Sequence, residues 1–339
     1  MMLYPLTFRP NLKQFVWGGE KIAPWKGIET EEDHIGESWE VSAYPTRESV
    51  VAAGSLEGKT LPELVRTYKG LLVGDHVYAR FGDGFPLLIK FIDALKDLSI
   101  QVHPDDALAE KRHGCRGKTE MWYVVDAEEG ARIYSGLKEK ITPEDYVRLV
   151  REDRITEVLA CHEARKGDVF HLPAGRIHAI CKGCFITEIQ ETSDITYRIY
   201  DYGRMGLDGK PRELHTEQAK DAIDYRVYPS YRTEYKEVPN EEIVLVDCPY
   251  FTTSLYALDA PVRKDLSGVD SFLAVMCVEG KGTLADSEPA MDPDSLKRGP
   301  TKGHLVQLRA GTTVLIPATS LGVTFTPEGS MKLITSYIC

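Results

Sequence analysis

Apolar residues alternate with polar ones, or fill short unbroken runs, over residues 40–43, 85–92, 121–125, 169–172, 185–190, 243–246 and 314–316. Runs of that length, bounded by turn residues, predict β-strands, and their number makes the chain mainly β. Three stretches break the pattern. Thr60-Leu61-Pro62-Glu63 has the spacing of a capping box ahead of residues 64–72. Thr142-Pro143-Glu144-Asp145 places proline at a first helical position ahead of 146–159, and 105–112 follows Pro104 directly. Each predicts a helix.

The predicted strands carry chemistry. Side chains at i and i+2 of a strand share a face, so Gln101 and His103 can reach one ion while Val102 faces away. Glu120 opens the apolar run 121–125, and His178 follows the Pro173-Ala174-Gly175 corner. The four residues form a candidate metal site built from three strands. Two imidazoles and one carboxylate suit zinc, and a weak amide ligand leaves room for a fifth partner. His171 and the remaining histidines read as core or surface residues. Cys181-Lys182-Gly183-Cys184 has the spacing of a metal or redox pair, but without a second pair or a helix it reads as a turn. Trp17, Trp39 and Trp122 suit a sugar face and a packed core equally.

Composition narrows the classes. With 339 residues and 42% hydrophobic content the chain can bury a sizeable core, and its length suggests two domains. A net charge of -11 argues against nucleic acid and anionic membranes as partners. No signal segment or long apolar run is present, and seven scattered cysteines suit reduced thiols, so a cytoplasmic protein is expected. Nothing in the chain requires an oligomer. A faint repeat aligns residues 166–174 with 310–318, each holding Gly, five residues, then Pro-Ala. In that alignment Gly322 stands where His178 does. The expected division is a metal-binding domain over 1–230, with helical insertions near 60–72, 105–112 and 143–159, and a degenerate β-unit without metal ligands over 241–339. The Tyr-rich, charged stretch 224–240 is the expected connector.

The corner Pro173-x-Gly175-x-x-His178 resembles half of the cupin signature, a double-stranded β-helix or jelly-roll barrel. Ser99-Ile100-Gln101-Val102-His103-Pro104, Gly117-Lys118-Thr119-Glu120-Met121-Trp122 and residues 188–194 together resemble type I phosphomannose isomerases in their short bacterial form. Trp17-Gly18-Gly19 and Gly36-Glu37-Ser38-Trp39-Glu40 fit that family too. The resemblance implies Gln101, His103, Glu120 and His178 as ligands of one Zn²⁺ per chain and Arg198 as the catalytic arginine. It implies Ser99, Lys118 and Arg204 at the phosphate end of a phosphosugar. Arg204 stands where longer members carry lysine, which changes a point contact into a fork.

The implied reaction interconverts mannose 6-phosphate and fructose 6-phosphate through an enediol. Glu188 and Lys118 are both candidates for the proton carrier. Two other classes compete with this expectation. A cupin dioxygenase would use iron bound by two histidines and one carboxylate, which Gln101 and the basic residues disfavour. A non-catalytic sugar-binding cupin would share the metal site but lack the basic residues retained here.

Overall fold

The structure is a computed structural model that describes residues 3–287 and 304–339. The chain folds into two units, one from residues 11–39 and 87–234, the other from 1–10, 40–86 and 235–339. The predicted helix that opens after Thr60 therefore belongs with the C-terminal sheet.

Two sheets make up the first unit. The larger has the order Leu12–Gly19, Ile35–Val41, Leu87–Asp93, Cys184–Glu191, Glu120–Ala127, Val169–Leu172. The smaller runs Tyr197–Tyr200, Ile100–Val102, His178–Ile180, Arg132–Leu137, Leu159–Glu163. Ile92, Trp122, Val124, Phe170 and Ile186 of the larger sheet meet Ile133 and Ile180 of the smaller in one buried core. Burying each such side chain contributes about 1.5–3 kcal/mol. The opposite face of the smaller sheet presents Ile100, Val102, Ala179 and Ile199 to Tyr146, Leu149 and Ala219 of two helices, Pro143–Arg151 and Thr216–Ala222.

That alternation fixes where the polar residues point. With Ile100 and Val102 turned to the helices, Gln101 faces the inside of the sandwich. Register then sets its neighbours: Arg198 lies opposite Gln101, Gln101 opposite His178, and His178 opposite Ser135. One cross-strand row carries all four.

In the second unit, the long strands Leu273–Ser287 and Gly322–Tyr337 pair at the centre of an eight-stranded sheet. Its core includes Leu273, Val275, Val314, Phe325 and Leu333. The repeat has a geometric counterpart. Strands Val169–Leu172 and Thr313–Ile316 occupy equivalent positions, and Gly167 and Gly311 before them share a φ of 89°. The bond from Arg176 N–H to the Pro173 carbonyl, 3.0 Å, recurs from Ser320 to Pro317 at 3.0 Å.

Several boundaries differ from the sequence expectation. The helix expected over 146–159 ends at Arg151, because Asp153 adopts a left-handed φ of 57°; a 3-10 turn, Ile155–Val158, and a strand follow. His103 lies one residue past its strand instead of on it. The capping box expected at Thr60 forms with Glu63, and Thr142 makes a second with Asp145. Cys181 to Cys184 is a turn, its two thiols buried and free.

Candidate metal centre and active site

Two backbone contacts assemble the centre around His103. Its carbonyl accepts the Gly175 N–H at 2.9 Å, which anchors the corner leading to His178. The Pro104 carbonyl accepts the Lys118 N–H at 3.1 Å, which brings the Glu120 strand alongside. Gly117 permits that approach, since a Cβ there would lie 2.6 Å from the Asp105 backbone. Helix Asp106–His113, capped by Asp105, spans the insertion between the two segments.

His103, Glu120 and His178 converge so that one ligand atom from each lies within 4.8 Å of the others, all three residues buried. The imidazole tautomers are set by their outer nitrogens. Nδ1 of His103 donates to the Ile195 carbonyl at 2.9 Å, and Nδ1 of His178 donates to the Arg176 carbonyl at 2.9 Å. Each Nε2 therefore carries a lone pair directed inward. Both Glu120 oxygens are buried without a well-formed hydrogen bond, although Lys118, His178 and His103 lie 3.0, 3.2 and 3.4 Å away. The Gln101 amide sits 3.2 Å from His178 Nε2, and turning it over would present its oxygen to the same space. Inward lone pairs and a buried carboxylate whose oxygens lack a well-formed hydrogen bond are the donor set a borderline divalent cation requires.

The electrostatics agree. Burial pushes the His103 imidazole down to about 4, helped by the Lys118 ammonium, and burial likewise lowers His178. Burial pushes Glu120 upward, but Lys118, His103 and His178 together hold it well below the usual carboxylate range. Neutral imidazoles and an ionised carboxylate are the ligand-ready states.

Of the other residues singled out in the sequence, Lys118 lies at the metal centre, 3.2 Å from His103 Nε2. Arg198 is half-buried, its Nη1 donating to the Glu213 carbonyl at 3.0 Å. Arg204 sits apart from Lys118's partners, bound to the buried Asp201 at 2.8 Å and to the Asp97 carbonyl. Ser99, two residues beyond Asp97, is buried. Glu188 is held by Trp122 Nε1–H at 2.8 Å and by Lys90 at 3.1 Å.

Three residues around the site, Arg212, Asp201 and Lys90, were missed in the sequence. Arg212 forks onto Asp201, 2.8 and 2.5 Å, so Asp201 gathers Arg204 and Arg212 beside Arg198, whose guanidinium feels both neighbours. Lys90 is buried between Glu188 and Glu37. A single lysine inside the apolar run Leu87-Leu88-Ile89-Lys90-Phe91-Ile92 was the available signal for it. Trp17, Trp39 and Trp122 are all buried, and the indole N–H groups of the last two hold Glu37 and Glu188.

Comparison with known proteins identifies the architecture. The model of the phosphomannose isomerase type I catalytic domain matches residues 6–131. Mannose-6-phosphate isomerase ManA of Bacillus subtilis is 35% identical over 292 residues, covering 85% of this chain and 90% of its own. Mannose-6-phosphate isomerase of Streptococcus mutans is 31% identical over 341 residues, 99% of both chains. The crystal structure of the mannose 6-phosphate isomerase from Bacillus subtilis superposes with a TM-score of 0.85 at 31% identity, covering 99% of this chain and 100% of its own. Similarity at that level along the whole length shows that the chain belongs to the type I phosphomannose isomerase family.

Proposed function

We propose that the protein is a zinc-dependent aldose–ketose isomerase that interconverts mannose 6-phosphate and fructose 6-phosphate through an enediol. The observation that carries the reading is the buried convergence of His103, Glu120 and His178, with Gln101 between His178 and Arg198 in one strand row. In this reading Gln101, His103, Glu120 and His178 hold one Zn²⁺ inside a cupin barrel whose sheets come from residues 11–39 and 87–234. Residues 235–339, with 1–10 and 40–86, form a second, degenerate cupin unit. The ion, when bound, supplies Lewis-acid stabilisation of oxygen charge.

The chain's own residues do the rest. Arg198, permanently charged, faces the sugar oxygens and stabilises the negative charge that develops there. Glu188 shuttles the proton between C2 and C1, and its orientation is held by Trp122 and Lys90. Lys118, beside Glu120, is assigned to the sugar's reacting end. Ser99 and Arg204 take the phosphate, supported by the excess of arginines over the one Asp201 carboxylate. All seven cysteines are free, which suits a cytoplasmic enzyme.

A coupled assay of fructose 6-phosphate formation tests this. Turnover should vanish on chelation and return with zinc, and Arg198→Ala should lower kcat by about 10²–10³-fold without loss of bound metal. Metal-replete, folded protein with no turnover would overturn the reading.

A further inference from the structure

Tyr197–Tyr200 is an edge strand of the smaller sheet, paired on one side with Ile100–Val102 and shifted in register between Arg198 and Tyr200. An edge strand leaves alternate N–H and C=O groups without a ladder partner. At Arg198 one residue takes both. His215 N–H donates to the Arg198 carbonyl at 2.7 Å, and the Arg198 N–H donates to His215 Nδ1 at 3.1 Å. An imidazole nitrogen thus occupies the place that a strand's carbonyl would fill. The Glu213 carbonyl accepts Arg198 Nη1 at 3.0 Å, so residues 213–215 hold the arginine by its backbone and its side chain together.

His215 is itself fixed. It is the residue that precedes helix Thr216–Ala222, and its carbonyl accepts the Ala219 N–H at 2.8 Å. Ala219 is buried in the core that this helix shares with Ile100, Val102 and Ile199. The imidazole lies beside the Tyr197 ring, centroids 6.2 Å apart, and the Tyr197 hydroxyl is 2.8 Å from Nε2 of His113, the last residue of helix Asp106–His113. The charged and titratable groups facing the imidazole are therefore Glu213, whose carboxylate lies 4.0 Å from Nε2, Arg198 itself, Tyr197 and His113. Burial lowers the ring's pKa most, Arg198 and His113 add to that, and Glu213 opposes them, so His215 titrates below the ordinary imidazole value.

A lone pair on Nδ1 is what the Arg198 N–H requires. A protonated Nδ1 would set two N–H groups against each other, so only the neutral ring with its proton on Nε2 makes the contact. We propose that His215 is a positioning residue whose imidazole closes the sheet edge at Arg198 and holds that arginine in the row with Gln101 and His178. Its part in turnover rests on the isomerase reading; the edge contact stands on the geometry alone. The sign follows from the lowered titration: the contact is complete above about 6.5 and is released as pH falls below that value.

Asparagine separates the acceptor from the titrating proton, because its Oδ1 can accept the same N–H and does not ionise. In the wild type, ¹⁵N spectra of the imidazole should show an unprotonated Nδ1 at neutral pH, and amide exchange at Arg198 should be slow there and quicken, after correction for intrinsic rate, as pH falls below about 6.5. His215→Asn should keep the Arg198 amide protected across that range. His215→Ala should lower the protection roughly 10-fold. With bound metal unchanged, it should also lower kcat roughly 10- to 100-fold. In an Arg198→Ala background the same substitution should lower kcat no further, whereas general loosening of the site would add its own loss. A protonated Nδ1 at neutral pH, an Arg198 amide equally protected in His215→Ala, or additive losses in kcat would each overturn the proposal. If His215→Ala does not fold, the wild-type tautomer and the pH response of His215→Asn still decide it. Protection at Arg198 that follows His215 in a wild type without isomerase activity would support the edge contact and sink the isomerase reading instead.

Discussion

His171 illustrates how one partly buried group can govern acid stability. Its Nε2 is buried without a hydrogen bond, and burial, with Arg176 nearby, pushes the imidazole down to about 4. The unfolded chain binds a proton at that residue as pH falls through about 6.5, while the folded protein resists until about 4. Stability from this site is therefore complete above 6.5 and is lost across that window, by up to roughly 3 kcal/mol. Urea unfolding measured between pH 7 and 4 should show a shallower slope in His171→Phe than in the wild type. The sequence placed His171 as a core or surface histidine, and periodicity could not say which. The convergence of His103, Glu120 and His178 was legible because each sits in a short motif of its own. Arg212, Asp201 and Lys90 were not, since their partners are set by loop return and strand order, which no short motif encodes.

Among the elements, those with chemical start signals were the most legible. Thr60 and Thr142 both accept the N–H of a residue three places on, and Glu63 and Asp145 reach back to them. Thr60→Ala and Thr142→Ala should each cost about 1 kcal/mol, read as a lowered denaturation midpoint with an unchanged slope. Helix ends were less legible. The run expected to reach residue 159 stops at Arg151 because a non-glycine residue, Asp153, adopts a left-handed turn, a choice that side-chain periodicity does not encode. The strand after Gly311 was predicted, but the full length of Gly322–Tyr337 was not, because its pairing with Leu273–Ser287 and its bulges are tertiary facts.

For the whole molecule, composition and patterning indicated a mainly β chain, and its membership in the phosphomannose isomerase family accords with that. The discontinuity of the units was hidden, because a sequence read from end to end suggests consecutive domains. Residues 1–10 and 40–86 share a unit with residues 235–339, and the strand Leu6–Thr7 pairs with Thr313–Ile316. This has a consequence for biosynthesis. The unit ending at residue 234 has all its strands once that point leaves the ribosome, whereas Leu6 waits for a partner about 300 residues further on, Thr313–Ile316. At typical translation rates the wait is roughly 5–20 s, during which the apolar positions of 40–86 lack their final neighbours. Nascent chains arrested at residue 234 should resist protease over 87–234 yet be cleaved within 40–86, and the second region should gain protection only once residues 235–339 have emerged.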